Sequence, residues 1–379
     1  MKLQRKPLAL LLLIGFGHAL AATPAPELPP DEIVARVLRG NPGVQAAASQ
    51  IRVEEANRSR LEAGNYEWNV RLGGQQRRVR PASAGDEQFN EWNAAIERPL
   101  RLPGKGALDA ELGAGGVALA ETAYGDTLHE SSRSLLKLWF AWLKESASAS
   151  QWREQAALLG KQNAAVTRRQ QLGDAARLDS VQSEAALAQA EAQLAQASVR
   201  QQTAGEDLRR RFPGLPVVAP AALSEPAAIA GSEEEWVNAL LEHSHELQLA
   251  RQEAKQARVF AGRSSHDRLP DPTVGLQVSR ERAGEERIIG AYVSIPLPGT
   301  ARRASSDAAL AMADGAARRE AAAQQKITAE AVALYQSAQA AVASWQASRH
   351  AGERLGRAAE MTARAYQLGE GSLSDLLTA

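Results

Sequence analysis

The chain has 379 residues, with 44 Lys and Arg against 44 Asp and Glu; 44% of residues are hydrophobic and only 4% aromatic. That length suits two ordinary domains or one extended one, and the scarcity of aromatics beside abundant Ala, Gln, Glu, Arg and Leu favours long helices over a thick core. Balanced charge gives no reason to expect nucleic acid as a partner, and a chain with no cysteine has no disulfide, thiolate metal site or thiol nucleophile.

The first element is a leader. Lys2, Arg5 and Lys6 form a basic region, "PLALLLLIGFG" an apolar one, and Ala19-Leu20-Ala21 an A-x-A site. Residues 1–21 therefore read as a secretory signal peptide cut after Ala21. Its loss leaves 41 basic against 44 acidic residues, a net −3. The mature chain holds no run of about 20 apolar residues, so it has no transmembrane helix, and entry into a membrane requires a β-barrel.

A first helix is expected through "PPDEIVARVLRGNPGVQAAASQIRVEEANRSRLEAG", with Asp31 as N-cap and Gly64 as stop. Two short segments of period two follow. Tyr66, Trp68, Val70 and Leu72 alternate with polar residues, as do Trp92, Ala94 and Ile96. This pattern predicts strands with one apolar face, joined in a hairpin over about 66–98. After the turn "PLRLPG", no proline interrupts Lys105 to Gln171, and a continuous helix of that length reaches roughly 100 Å. Its apolar stripe includes Leu128, Leu135, Leu138, Trp139, Trp142, Leu158, Leu159 and Val166, which predicts lateral packing as in a coiled coil. Gly113, Gly115, Gly116 and Gly125 weaken the helix near its start. The chain turns at Gly173-Asp174 and returns as a helix from Ser180 to about Phe212, before a Pro- and Ala-rich connection ending at Ser232.

The same order then recurs. "NPGVQAA" pairs with "SHELQLA", "ERPLRLPGKG" with "VSIPLPGTARR", and "QLGDAARLDSV" with "QLGEGSLSDLL", at separations of about 200 residues, which marks two copies of one large module. The second copy has a helix capped by Ser232 and closed by Gly262. Its strands carry Val274, Leu276 and Val278, then Ile289, Ala291, Val293 and Ile295, in a hairpin over about 272–297. The domain plan is a first repeat over 22–215, a linker over 216–231 and a second repeat over 232–379. The fold class is mainly α with a small β part. In the second copy Asp375 is followed only by Leu376 to Ala379; a helical hairpin needs a returning arm, so either the reading frame continues past Ala379, the favoured expectation, or this copy is degenerate.

Four amphipathic strands are either a small sheet over a core or part of a lipid-spanning barrel. Tyr66, Trp68 and Trp92 suit an aromatic girdle, and four strands cannot close a barrel alone, so the second reading requires oligomerisation.

The leader, the duplicated module, "ERPLRLPGKG" and "SIPLPGTARR" after the strands, "LLKLWFAWLKESA" and "QLGDAARLDSVQSEAALAQAEAQL" together resemble the outer membrane efflux protein family. These are the TolC-like channels, and the likeness is greatest to their CzcC-type heavy-metal branch. The resemblance implies a homotrimer in the outer membrane with four strands per protomer in a twelve-stranded barrel, continued by a periplasmic α-helical tunnel. It implies a passive duct, not an enzyme, working with a periplasmic adaptor and an RND-type inner-membrane transporter. The lipid-facing residues would be Tyr66, Trp68, Val70, Leu72, Trp92, Ile96, Val274, Leu276, Val278, Ile289, Val293 and Ile295. The adaptor-docking tips would be Gln171, Leu172, Gly173, Asp174, Leu178 and Asp179, with Gln367, Leu368, Gly369, Glu370, Ser374 and Asp375. From the residues themselves, Gly permits the tight turn and the acids either cap the returning helix or ring a tunnel mouth.

No cofactor or metal site is expected. His243 and His245 lie two apart, about 200° around a helix, and do not converge; His266 and Asp267 lack further ligands. Hydrolase, zinc-protease and P-loop motifs are missing. The competing class is a soluble periplasmic coiled-coil scaffold or adaptor.

Overall fold

The computed structural model describes residues 27–80, 85–220 and 223–379; the leader and its cleavage site lie outside them. In chain order the elements are α1 (Asp31–Arg39), α2 (Pro42–Ala63), β1 (Asn69–Val79), β2 (Glu87–Pro99), α3 (Lys105–Gln171) and α4 (Arg177–Arg211). They are followed by α5 (Glu233–His243), α6 (His245–His266), β3 (Thr273–Glu281), β4 (Glu286–Ser294), α7 (Thr300–Gln367) and α8 (Leu373–Thr378).

The helix expected from Asp31 to Gly64 is two helices. Pro42 has no N–H to donate and disfavours helical backbone at Asn41, so α1 ends and α2 restarts there. Asn41 caps the restart, its Oδ1 accepting from Gly43 N–H at 2.9 Å. Asp31 lies inside the first turn of α1, where it complements the helix dipole and does not cap. Gly64 closes α2 with φ +67°, as expected. The counterpart splits at the matching place: Ser232 and Glu235 form a capping box for α5, and Ser244 caps α6 through Leu247 N–H. Gly262, expected as a stop, lies inside α6, which ends at His266. A lone glycine costs a helix only about 1 kcal/mol, and here it packs close to Leu108.

The chain divides into two compact units. One contains the described residues up to Val37 together with Leu138–Ala227; the other contains Leu38–Lys137 and Ala228–Ala379, and α3 contributes to both. In the first unit, Trp142, Ala149 and Ala156 of α3 and Ser183, Ala190 and Ala197 of α4 are buried at intervals of seven. That is the seam of a helical hairpin with 3.5-residue periodicity. Gly205 lets α4 approach Trp142, since a Cβ there would stand 3.3 Å from the indole nitrogen, and Trp139 Nε1 donates to Glu27 O at 2.7 Å. Leu158, expected in the stripe, is exposed; two residues beyond Ala156 it falls on the opposite side of the helix. Helix α4 starts three residues before the expected Ser180.

In the second unit the interval of seven recurs at Leu247, Ala254 and Ala261 of α6 and at Ala309 and Ala316 of α7. The small residues let helices approach closely. Gly113 has the same purpose: a Cβ on it would lie 2.9 Å from the Arg58 Cα of α2. The glycine run in α3 thus marks close helix packing, and α3 is unbroken through it.

The four strands form one antiparallel sheet in the order β1-β2-β3-β4, with β1 and β4 as edges. Pairing of β2 with β3 (Trp92 opposite Arg280 through Pro99 opposite Thr273) joins the two hairpins.

Candidate functional site

Register decides what the sheet presents. Val70 is opposite Ile96 and Leu72 opposite Ala94; Ile96 is opposite Leu276 and Ala94 opposite Val278; Leu276 is opposite Ala291, Val278 opposite Ile289 and Val274 opposite Val293. The alternation seen separately in four strands therefore merges into one apolar face. Val70 (61%), Leu72 (77%), Leu276 (60%), Ile289 (70%) and Val293 (63%) are exposed on it, as are Ile96 and Trp92, with Trp68 and Ile295 flanking. A continuous exposed apolar face marks an interaction or membrane surface. Val274 and Val278 are half-buried on the same face.

Tyr66 is an exception among the expected lipid-facing residues. It precedes β1, lies half-buried, donates its hydroxyl to Asp271 Oδ2 at 2.8 Å and stacks under the Arg101 guanidinium, 4.6 Å from the ring centroid. Tyr66 lies three residues before the first residue of β1, Asn69, so the alternation counted from sequence overruns the strand. Burial, then Asp271, pushes its phenol pKa up.

The opposite face of the sheet is polar and internally paired. Glu91, almost completely buried, meets Arg77 Nε at 3.1 Å and the Gln75 amide at 2.8 Å; Arg77 also reaches Glu281 at 2.7 Å. Tyr292 spans Gly275 to donate to Glu97, which Arg71 pairs with at 2.8 Å. Only glycine fits at 275, because a Cβ would stand 2.4 Å from the Tyr292 ring.

The two tips share a backbone design. Gly173 (φ +83°) and Gly369 (φ +78°) end α3 and α7, and the next residue donates back: Asp174 N–H to Arg169 O and Glu370 N–H to Ala365 O, both at 2.9 Å. This is the Schellman closure, which requires a left-handed residue. Leu172, Leu178 and Leu368 are exposed beside Gln171 and Gln367. The acids behave differently from the expectation that Asp174 caps the return. Asp174 pairs instead with Arg169 of the outgoing helix at 3.0 Å, and the N-cap of α4 is Ala176, which supplies no side-chain cap. At the second tip Ser372, in Ala176's position, forms a capping box with Asp375, and α8 follows. Asp179 holds the place of Asp375, but alanine three residues before it offers no oxygen. Ser374 is exposed within α8.

A third constellation was not read from sequence. At the base of the sheet Lys105, the first residue of α3, is fully buried, and its ammonium meets Asp271 at 2.9 Å, Asp267 at 3.1 Å and Leu269 O at 2.8 Å. A cation at a helix N-terminus opposes the dipole; two carboxylates offset that. Asp109, one turn on, is buried against Arg263 and faces Arg101, which also caps α2 through Leu61 O and Glu62 O. Burial pushes the Asp271 and Asp267 pKa values up. For Asp271, Lys105, Leu102 N–H and Tyr66 outweigh it; for Asp267, Arg263 and Lys105 do, and both end below the ordinary value. Arg263 is disfavoured as a cation by burial but held above its usual range by Asp267 and Asp109. Lys105 and Asp109 lie in the first copy and their partners Arg263, Asp267, Leu269 and Asp271 in the second, 154 to 166 positions away, and no local pattern announces them.

His243 and His245 do not share a helix, because Ser244 separates α5 from α6. The 200° argument against their convergence therefore does not apply: both line a cavity of about 260 Å³, where the His245 ring meets His129 edge-on at 5.7 Å. Among the described residues no group of three or more His, Asp and Glu is arranged to hold a metal. Asp267, read as isolated, belongs to the Lys105 cluster. No described helix is long and apolar enough to cross a membrane.

No protein-family model and no curated protein matches the sequence. Solved structures do match the fold. CusC, described for its folding and transmembrane channel formation, is 16% identical, covering 92% of this chain and 84% of that one at a TM-score of 0.71. The outer membrane protein VceC of Vibrio cholerae is 17% identical, covering 92% and 88% at 0.70. The Campylobacter jejuni CmeC outer membrane channel is 13% identical, covering 92% and 78% at 0.71. The chain has the mainly helical fold of these outer-membrane channels, with its small antiparallel sheet.

Proposed function

We propose that this chain is a subunit of an outer-membrane efflux channel, the passive exit duct of a tripartite pump. The observation that carries the reading is the sheet: a continuous exposed apolar face, a polar face with its charges paired, and two unpaired edges. An open edge in lipid leaves backbone groups unsatisfied, so three copies would join β1 to β4 edge to edge and close a twelve-stranded barrel. The likeness of the whole fold to outer-membrane channels supports the same assembly. In this reading residues 1–21 direct export, the two repeats supply one hairpin each, and the helices form a periplasmic tunnel. The exposed tips around Gly173 and Gly369 would dock a periplasmic adaptor, itself bound to an RND-type transporter. Cargo would be metal ions, as in the heavy-metal branch, or small organic molecules delivered by that transporter.

Fractionation of cells expressing the full chain tests the reading. A heat-modifiable trimer extracted from outer membranes is expected, and a soluble periplasmic monomer would establish the scaffold alternative instead.

A further inference from the structure

At the hairpin end of the apolar face, Arg280 of β3 stands directly opposite Arg287 of β4, and Trp92 of β2 stands opposite Arg280 in the same row. Both arginines continue the apolar alternation, two residues beyond Val278 and Ile289, so they share that face. Like charges placed directly across a strand pair are destabilising unless something lies between them.

The other face shows the contrast. Glu281 and Glu286 are also directly opposed, but Arg77 pairs with Glu281 at 2.7 Å and Arg282 with Glu286 at 3.2 Å. Arg80 pairs with Asp86. Among the described residues no carboxylate pairs with Arg280 or Arg287, and Arg78, on the same face of β1, faces Gln88. Arg280 Nε lies 4.0 Å from the point where a Cβ on Gly284 would sit, so its side chain runs toward the turn and away from the apolar band, as a snorkelling cation does. At the other end of the face the single arginine is engaged: Arg98 donates to Tyr66 O at 2.7 Å and covers Trp68.

We propose that Arg280 and Arg287, bordered by Trp92, bind the phosphate groups of outer-leaflet lipid, with the two monoester phosphates of a lipid A headgroup as the ligand. This rests on the outer-membrane reading, which sets the hairpin end at the outer leaflet. Guanidinium matches phosphate geometry through bidentate hydrogen bonds, the anion relieves the opposed cations, and Trp92 marks the apolar boundary where such headgroups lie.

The test uses the full chain incorporated into phosphatidylcholine vesicles, with insertion scored by heat-modifiable mobility, then titrated with bisphosphorylated or dephosphorylated lipid A. The bisphosphorylated form is expected to bind more tightly. Arg280→Gln with Arg287→Gln should weaken it about 30-fold, roughly fivefold per arginine, while Arg280→Lys with Arg287→Lys keeps most of the preference and Arg98→Gln keeps all of it. Equal binding of the two lipids, or no change in the inserted double variant, overturns the proposal and leaves the barrel standing. Competition by inorganic phosphate at equal concentration would make this a general anion site and also overturn it. Failure of the wild type to insert at all would bring down the outer-membrane reading, and this proposal with it.

Discussion

The sheet and the ionic junction at its base invert one another. The sheet turns valine, leucine and isoleucine outward and pairs its carboxylates within, while a few residues below, Lys105, Asp109 and Arg263 are withdrawn from solvent where a soluble protein would place leucines. In the outer-membrane reading the apolar side of the sheet faces lipid, so its stability would depend on the medium. The junction is satisfied by its own partners, so its stability depends on every partner being present.

The largest effect should come from breaking the junction. Lys105→Met leaves Asp271 with only the Leu102 N–H and the Tyr66 hydroxyl and Asp267 with only Arg263, and removing the buried cation is expected to cost about 3 kcal/mol; thermal denaturation of the detergent-solubilised chain measures it. Next comes the face itself. Leu276→Arg is expected to cost about 2 to 4 kcal/mol near a bilayer midplane and to lower the yield of heat-modifiable oligomer in outer membranes. In a soluble sheet the same exposed substitution would be close to neutral, so this variant separates the two media.

Acid sharpens the contrast further. Asp267 and Asp271 have folded pKa values below the ordinary aspartate value near 3.9. Their stabilisation is therefore complete above that value and is lost as pH falls through the lower folded values. The pH dependence of unfolding below about pH 4 should steepen through these groups, and Lys105→Met should flatten that dependence.

The smallest effects belong to the tips. Ser372→Ala removes the capping box and should destabilise the second tip by about 1 kcal/mol, whereas Ala176→Ser, opposite Asp179, should build one at the first and gain about as much. Hydrogen exchange of the tip amides reads both. A Cβ at Gly173 would meet no neighbour within 4 Å, so the cost of Gly173→Val is chiefly the left-handed backbone, about 1 to 2 kcal/mol. In the efflux reading it should weaken adaptor cross-linking while leaving export intact.

Much of this was legible along the chain because its causes are local. Period two located the strands, an uninterrupted run without proline gave α3 its bounds, and QLG marked both left-handed closures. Local signals were also misread where neighbours decide. Asn41-Pro42 and Ser244 split helices that periodicity had joined, Gly262 is held helical by packing, and Tyr66 is drawn from the apolar face to Asp271 by a hydrogen bond across 205 residues.

The sequence alone determined the elements, the apolar alternation of each strand and the turn chemistry, since these depend on a residue and its near neighbours. Only the tertiary structure decided that four alternations fall in one register and make a single face. It also decided that Lys105 finds its carboxylates in the second copy, and that two arginines stand opposed with no carboxylate partner among the described residues. Register and long-range charge pairing are properties of residues brought together from far apart, and no spacing within either copy encodes them.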